Sequence, residues 1–242
     1  GEGAFWDCSK LTQITLSNDL KAIGTKTFRG CASLTSVTLP KNLESVGTEA
    51  FFQCSKLAIA NFNNTVKSIR DFAFYECRSL SALTLPAELI QIGKSAFSGC
   101  SSLQSLNLNQ NLISIDDFAF YRCSSLTTLK LPNSLKNIGT NAFGMCTKAS
   151  SLSLPNPKAV VEEAAFLGCP IATLTVSGDI GLPPGAPAAV LRKLNLLQGS
   201  SSIRRAAFQG CVNLTTVSIP TGITSIPALS NPPSEETVTT NW

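Results

Sequence analysis

Residues 100–123 read CSSLQSLNLNQNLISIDDFAFYRC, and this stretch decides the fold. It begins and ends on cysteine, with phenylalanine three residues before the second one. The pair recurs every 23 residues, at Cys8, Cys31, Cys54, Cys77, Cys100, Cys123, Cys146 and Cys169, with phenylalanines from Phe5 to Phe166. Phe208 and Cys211 repeat it after one irregular interval of 42 residues. A fixed period of this length is the signature of a solenoid, whose units pack only on their neighbours. It predicts one elongated domain over residues 1–226 and a function carried by a long surface. Residues 227–242 are expected to be a tail, a partial cap or a linker.

Within the quoted unit, Leu106 and Leu108 are two apart, which sends both to one face of a strand. Pro86 and Pro132 follow equivalent strands and end them, because proline donates nothing to a ladder. Strands are expected at 14–16, 37–39, 60–62, 83–85, 106–108, 129–131, 152–154, 174–176, 194–196 and 217–219. Stacked at about 4.8 Å, these rungs make a parallel sheet roughly 45 Å long. The second half of the unit changes period. Ile92, Ala96, Phe97 and Cys100 are spaced by four, one and three, which suits a helical turn or two. Gly93 ahead of them is read as a turn residue. The expected fold is therefore an α/β repeat, with the parallel sheet on the concave face and short helical segments on the convex face.

Two departures stand out. The half-unit Ala-Phe-x-x-Cys is missing near Gly181-Leu182-Pro183-Pro184-Gly185, so one irregular rung is expected across 178–190. A second period also underlies the first. Ser68 to Tyr75 reads SIRDFAFY and Ser114 to Tyr121 reads SIDDFAFY, 46 residues on, while Pro40, Pro86 and Pro132 alternate with Asn63 and Asn109. The array reads as grown partly by copying two units together.

Composition narrows the function. The chain of 242 residues is 43% hydrophobic and 14% charged, which excludes a disordered segment. Its net charge of +4 is modest, and the charges form no run of one sign. Arg192, Lys193, Arg204 and Arg205 are the densest basic group and read as solvated charge, so no nucleic-acid partner is expected. No run approaches 18 apolar residues, so this segment is not expected to insert in a membrane. Opening inside a repeat, at Gly1–Phe5, the chain reads as a scar or an excised fragment.

The sequence has no histidine, which removes the Ser-His and Cys-His nucleophile pairs. No C-x-x-C occurs, so a zinc site is not expected, and no cofactor is called for. Asp116-Asp117 and Glu162-Glu163 read as solvated turn residues. The nine cysteines read as buried free thiols filling a narrow column, since cysteine behaves as a small apolar residue and an odd count cannot pair fully. No enzymatic role is expected.

The candidate binding residues follow from the strand alternation. Thr38, Asn61, Thr84, Asn107, Lys130 and Asn195 point outward in mid-strand, and Lys193 stands two residues before the last of them. Together they offer a polar, nearly uncharged face. A second candidate is lateral: Phe52, Tyr75 and Tyr121 each follow the repeat phenylalanine and are expected to be partly exposed. Aromatic side chains anchor interfaces.

The unit resembles the leucine-rich repeats of the BspA-like, or Treponema, type. The residues that carry this are the Leu-x-x-Leu-x-Leu-Pro and Ile-Gly-x-x-Ala-Phe-x-x-Cys segments, both seen in Leu80 to Phe97, LSALTLPAELIQIGKSAF. The resemblance covers residues 4 to about 226. It departs at Arg70, Asp116 and Glu162, where glycine is expected, at Ala149 and Ala172, where leucine is, and across 178–190. It implies a right-handed leucine-rich-repeat solenoid in a cell-surface or secreted, adhesin-like protein of bacteria or parasitic protists. The expected partner is an extracellular or host protein. A glycan ligand and a purely structural spacer are the alternatives.

Overall fold

The computed structural model describes residues 1–62, 64–176, 182–198, 200, 203 and 207–223. The expected tail 227–242 lies outside the described residues, as do Arg204 and Arg205. The chain winds as a parallel β-solenoid of strands and turns. The principal sheet is built from Ser36–Thr38, Ile59–Asn61, Ala82–Thr84, Ser105–Asn107, Thr128–Lys130, Ser151–Leu154, Thr173–Val176, Lys193–Leu196 and Thr216–Ser218. Each of these begins one residue before the expected position. All pairing is parallel and in repeat register, as in Thr128↔Ser151 and Leu129↔Leu152. Residues 14–16, expected as the first strand, are not one. Ile14 and Leu16 pack on the core, but Thr35 N–H to the Thr12 carbonyl, 3.2 Å, is the backbone bond that ties this segment to the next rung.

A second parallel sheet was not foreseen. Its seven strands are Ala22–Ile23, Ser45–Val46, Ser68–Ile69, Gln91–Ile92, Ser114–Ile115, Asn137–Ile138 and Val160–Val161. Ile92, read as the start of a helical segment, belongs to this sheet. The sheet ends at Val160–Val161, ahead of the irregular rung.

The convex helices are likewise absent: among the described residues there is no α-helix, only the 3-10 turn Ala188–Val190. The backbone shows why. Between Gly47 and Cys54, Ala50, Phe52 and Cys54 donate back three residues within the rung. Glu49, Phe51 and Gln53 instead donate to Asp71, Ala73 and Tyr75 of the next rung. Every second N–H is thus committed between rungs, which an α-helix cannot allow. Left-handed residues recur four apart in each rung, at Glu49 and Gln53, Phe72 and Glu76, Phe118 and Arg122. Such residues interrupt a right-handed helix at each occurrence.

The core is a set of columns running the length of the solenoid. Phe5, Phe28, Phe51, Phe74, Phe97, Phe120, Phe143 and Phe166 stack on one another with ring centroids 5.0–5.6 Å apart. Beside them runs the thiol column. All nine cysteines are free, and Cys31 through Cys169 are buried. Each buried thiol donates to the carbonyl of the phenylalanine one rung back, as Cys54 does to Phe28 at 3.1 Å and Cys77 to Phe51 at 3.2 Å.

The glycine ahead of the turn has a different cause from the one expected. Gly93 does not adopt a left-handed conformation. A Cβ there would stand 2.8 Å from the Arg70 carbonyl carbon and the Asp71 nitrogen, so close approach of the neighbouring backbone excludes a side chain. In this column Gly47, Gly93 and Gly139 alternate with Arg70, Asp116 and Glu162, which is the two-rung period seen in the sequence. Asp71 and Asp117 complete each pair by accepting the Lys94 and Thr140 N–H at 2.9 Å. Asn109 serves the same period, donating to the Pro86 and Leu89 carbonyls.

The irregular rung keeps the sheet in step. Thr173 pairs directly with Lys193, so this rung is shorter than the 23-residue unit but loses no register. Its missing Phe-Cys half is replaced by the turn at Gly185 and the 3-10 turn, with Ala186 and Leu191 filling the core.

Candidate functional site

The principal sheet places the outward residues in two registered columns. One joins Thr38 to Asn61, Thr84 to Asn107, and Lys130 to Ser153, Thr175, Asn195 and Ser218. The other runs alongside it, with Lys193 between Thr173 and Thr216. Strand alternation buries the intervening residue, Val37, Leu83, Leu106 or Leu129, and leaves its neighbours in solvent. Thr38, Asn61, Thr84, Asn107, Lys130 and Lys193 are exposed, and Asn195 is half-buried and donates to Thr175 Oγ1 at 3.2 Å. The hydrogen-bond ladder is continuous from Thr128–Lys130 onward. Before that, strands pair two by two, Ser36–Thr38 with Ile59–Asn61 and Ala82–Thr84 with Ser105–Asn107. One residue that the candidate list omitted is Ile59, whose side chain is 51% exposed on this polar face. Its position in the outward column was a signal already present in the sequence.

The lateral aromatics divide into two groups. Phe52 and Tyr75 stack at 4.7 Å, and Phe72 meets Tyr75 edge-on at 5.8 Å. The Arg29 guanidinium lies 4.0 Å from the Phe52 ring centre and 5.8 Å from that of Trp6, and it pairs with Glu49. Trp6, Arg29, Phe52 and Tyr75 therefore form one ladder, a cation held between rings. The 23-residue spacing of those four residues was the signal for it. Tyr121 stands apart, two rungs on, edge-on to Phe118 at 5.5 Å with Arg122 over its ring. Between the two groups lie Ser95 and Ser98, both buried at 6%. Large residues at 72 and 75 and at 118 and 121 flank this rung of small ones, so the two-rung period also sets how this face packs.

The paired acids Asp116 and Asp117 have partners of their own. Asp117 accepts the Thr140 N–H, and Asp116 accepts the Gln91 amide at 2.8 Å. Among the described residues no group of His, Cys, Asp and Glu is placed to hold a metal, and no helix is long and apolar enough to cross a membrane. The open, registered sheet is suited to contact over many rungs.

A profile of the BspA type leucine rich repeat region matches the chain in 6 copies, over residues 1–89, 67–181 and 188–230. A leucine rich repeat protein of T. pallidum is 30% identical, with a TM-score of 0.60, over 65% of this chain and 76% of that one. A leucine rich cell surface protein of Faecalibacterium prausnitzii is 24% identical, with a TM-score of 0.58, over 90% of this chain and 69% of that one. The second likeness bears on the fold alone. No curated protein matches the chain.

Proposed function

The chain belongs to the BspA-type leucine-rich-repeat family, and from that premise we propose that it is a non-enzymatic binding module of a cell-surface or secreted, adhesin-like protein. Its partner is an extracellular protein, held by shallow contact along the principal sheet. The observation that carries this reading is the pair of outward columns, registered rung by rung and open to solvent. Many weak, aligned contacts on one rigid face add up, since the solenoid fixes their spacing before binding and little ordering entropy remains to be lost. The lateral ladder of Trp6, Arg29, Phe52 and Tyr75 is a secondary contact.

The test is binding of the purified chain to panels of extracellular-matrix proteins and glycans, beside a Thr84→Trp, Asn107→Trp variant. Both positions are exposed and registered, so two indoles plug the sheet without changing its charge. A protein hit that the plug weakens at least about tenfold, or about 1.4 kcal/mol, supports the reading. A hit on glycans only would overturn the protein-binding assignment, and silence on both panels would favour a spacer.

A further inference from the structure

The solenoid separates its charges. In each rung, take the segment from the repeat cysteine, or from Val190 in the irregular rung, through the principal strand or the residues equivalent to it: 8–16, 31–39, 54–62, 77–85, 100–108, 123–131, 146–154, 169–176, 190–196 and 211–219. None of the fifteen acidic residues of the chain falls in any of them. The basic residues do. Lys10, Lys56, Lys130, Lys148, Arg192 and Lys193 are all exposed, and none forms an ion pair among the described residues. Arg78, also in this set, reaches back to Glu76 just outside it. Acids with partners on the turn side and the second sheet include Glu49 with Arg29, Asp71 and Asp117 on backbone N–H groups, and Asp116 on Gln91. The principal sheet and the turns leading into it thus carry charge of a single sign, while the other faces are mixed.

This arrangement was invisible in the linear charge pattern, because the 23-residue period interleaves the two faces. Ordinary solubility does not require it, as acids serve a solvated face equally well. A one-signed face steers an oppositely charged partner and rejects a like one.

We propose that the principal sheet recognises an acidic segment of a protein, laid in extended form along or across the rungs. This rests on the binding reading above and names its partner's chemistry. Two further observations favour protein among anionic chains. Among the described residues, no aromatic ring points outward from the principal strands, so nothing there stacks on a sugar or a base; Phe62 at the strand end packs edge-on against Phe74 inside. Ile59, 51% exposed, offers an apolar contact that protein side chains fill. Lys130 and Lys193 stand three rungs apart in adjacent columns, roughly 16 Å, which about five residues of extended peptide would span.

The experiment compares two synthetic peptides of alternating sequence, Glu-Val and Gln-Val, by fluorescence anisotropy on the intact chain. The Glu-Val peptide should bind at least about tenfold more tightly, and its affinity should fall steeply as salt rises toward about 0.3 M. Reversing Lys130→Glu and Lys193→Glu should abolish the difference between the peptides. A control reversal, Lys94→Glu with Lys136→Glu, keeps the same net charge on faces outside the acid-free segments and should leave the preference intact. Unchanged thermal unfolding would show that both variants fold. Equal binding of the two peptides, or equal loss in the control, would overturn the proposal. So would tighter binding of dextran sulfate or of a single-stranded oligonucleotide than of the Glu-Val peptide. If the Thr84→Trp, Asn107→Trp plug blocks a partner protein while charge reversal at Lys130 and Lys193 does not, the sheet remains the binding face and only the acidic class falls.

Discussion

At the scale of single residues, the thiol column explains a cysteine at every rung. The side chain fills a narrow slot and still satisfies the phenylalanine carbonyl one rung back, as Cys100 does to Phe74 at 3.3 Å. Burial pushes the Cys31 thiol from the ordinary 9.0 up to about 11, and raises Cys77 and Cys100 further. These groups ionise first in the unfolded chain. Their stabilising contribution is therefore whole below pH about 9 and is lost as pH rises toward the folded values. Urea midpoints should fall between pH 8 and 10.5, and should fall less steeply for Cys77→Ala; equal slopes in the two proteins would contradict a buried, protonated column. At neutral pH the exposed Cys8 should react with a thiol reagent first, and the buried thiols only on unfolding. Phe97 is fully buried between Phe74 and Phe120, so Phe97→Ala should cost about 3–5 kcal/mol in a urea melt. A loss under about 1 kcal/mol would misplace the core. Both columns were legible in the sequence because a strict period leaves each side chain one environment to occupy.

At the scale of elements, the sequence misled where two structures share one spacing. Ile92, Ala96, Phe97 and Cys100 recur as they would on a helix, yet a chain of tight turns places the same residues inward. What decides between them is the hydrogen bonding of the next rung, as Phe97 N–H shows by donating to the Ala119 carbonyl at 2.8 Å. No single unit contains that information. The glycine column was misjudged for the same reason: its constraint comes from the adjoining backbone rather than from its own dihedral angles. Gly93→Val should therefore destabilise by at least about 1–3 kcal/mol, as overpacking does, through contact with Arg70 and Asp71. A neutral result by thermal melting would show that the rungs approach less closely.

At the scale of the whole molecule, the period alone established a solenoid, and the two-rung repeat proved to organise three features at once: the glycine column, the early pairing of the principal strands, and the large–small packing around Ser95 and Ser98. The candidate residues of the sheet were legible because alternation along a strand fixes which side chains face out, and the registered columns put them side by side. The ladder through Trp6 and Arg29 was less so, since Phe52 and Tyr75 are joined to it by a cation rather than by another ring. Charge separation required the folded register, because residues 23 apart become neighbours only once the chain is wound.

The central claim is that the principal sheet is the recognition face. Hydrogen–deuterium exchange on the chain with and without a captured protein partner tests it most directly. The account predicts its strongest added protection in peptides spanning Thr128–Lys130, Thr173–Val176 and Lys193–Leu196, with a smaller change across the turns holding Phe72, Tyr75, Phe118 and Tyr121. Protection confined to those turns, with the principal strands unchanged, would contradict it.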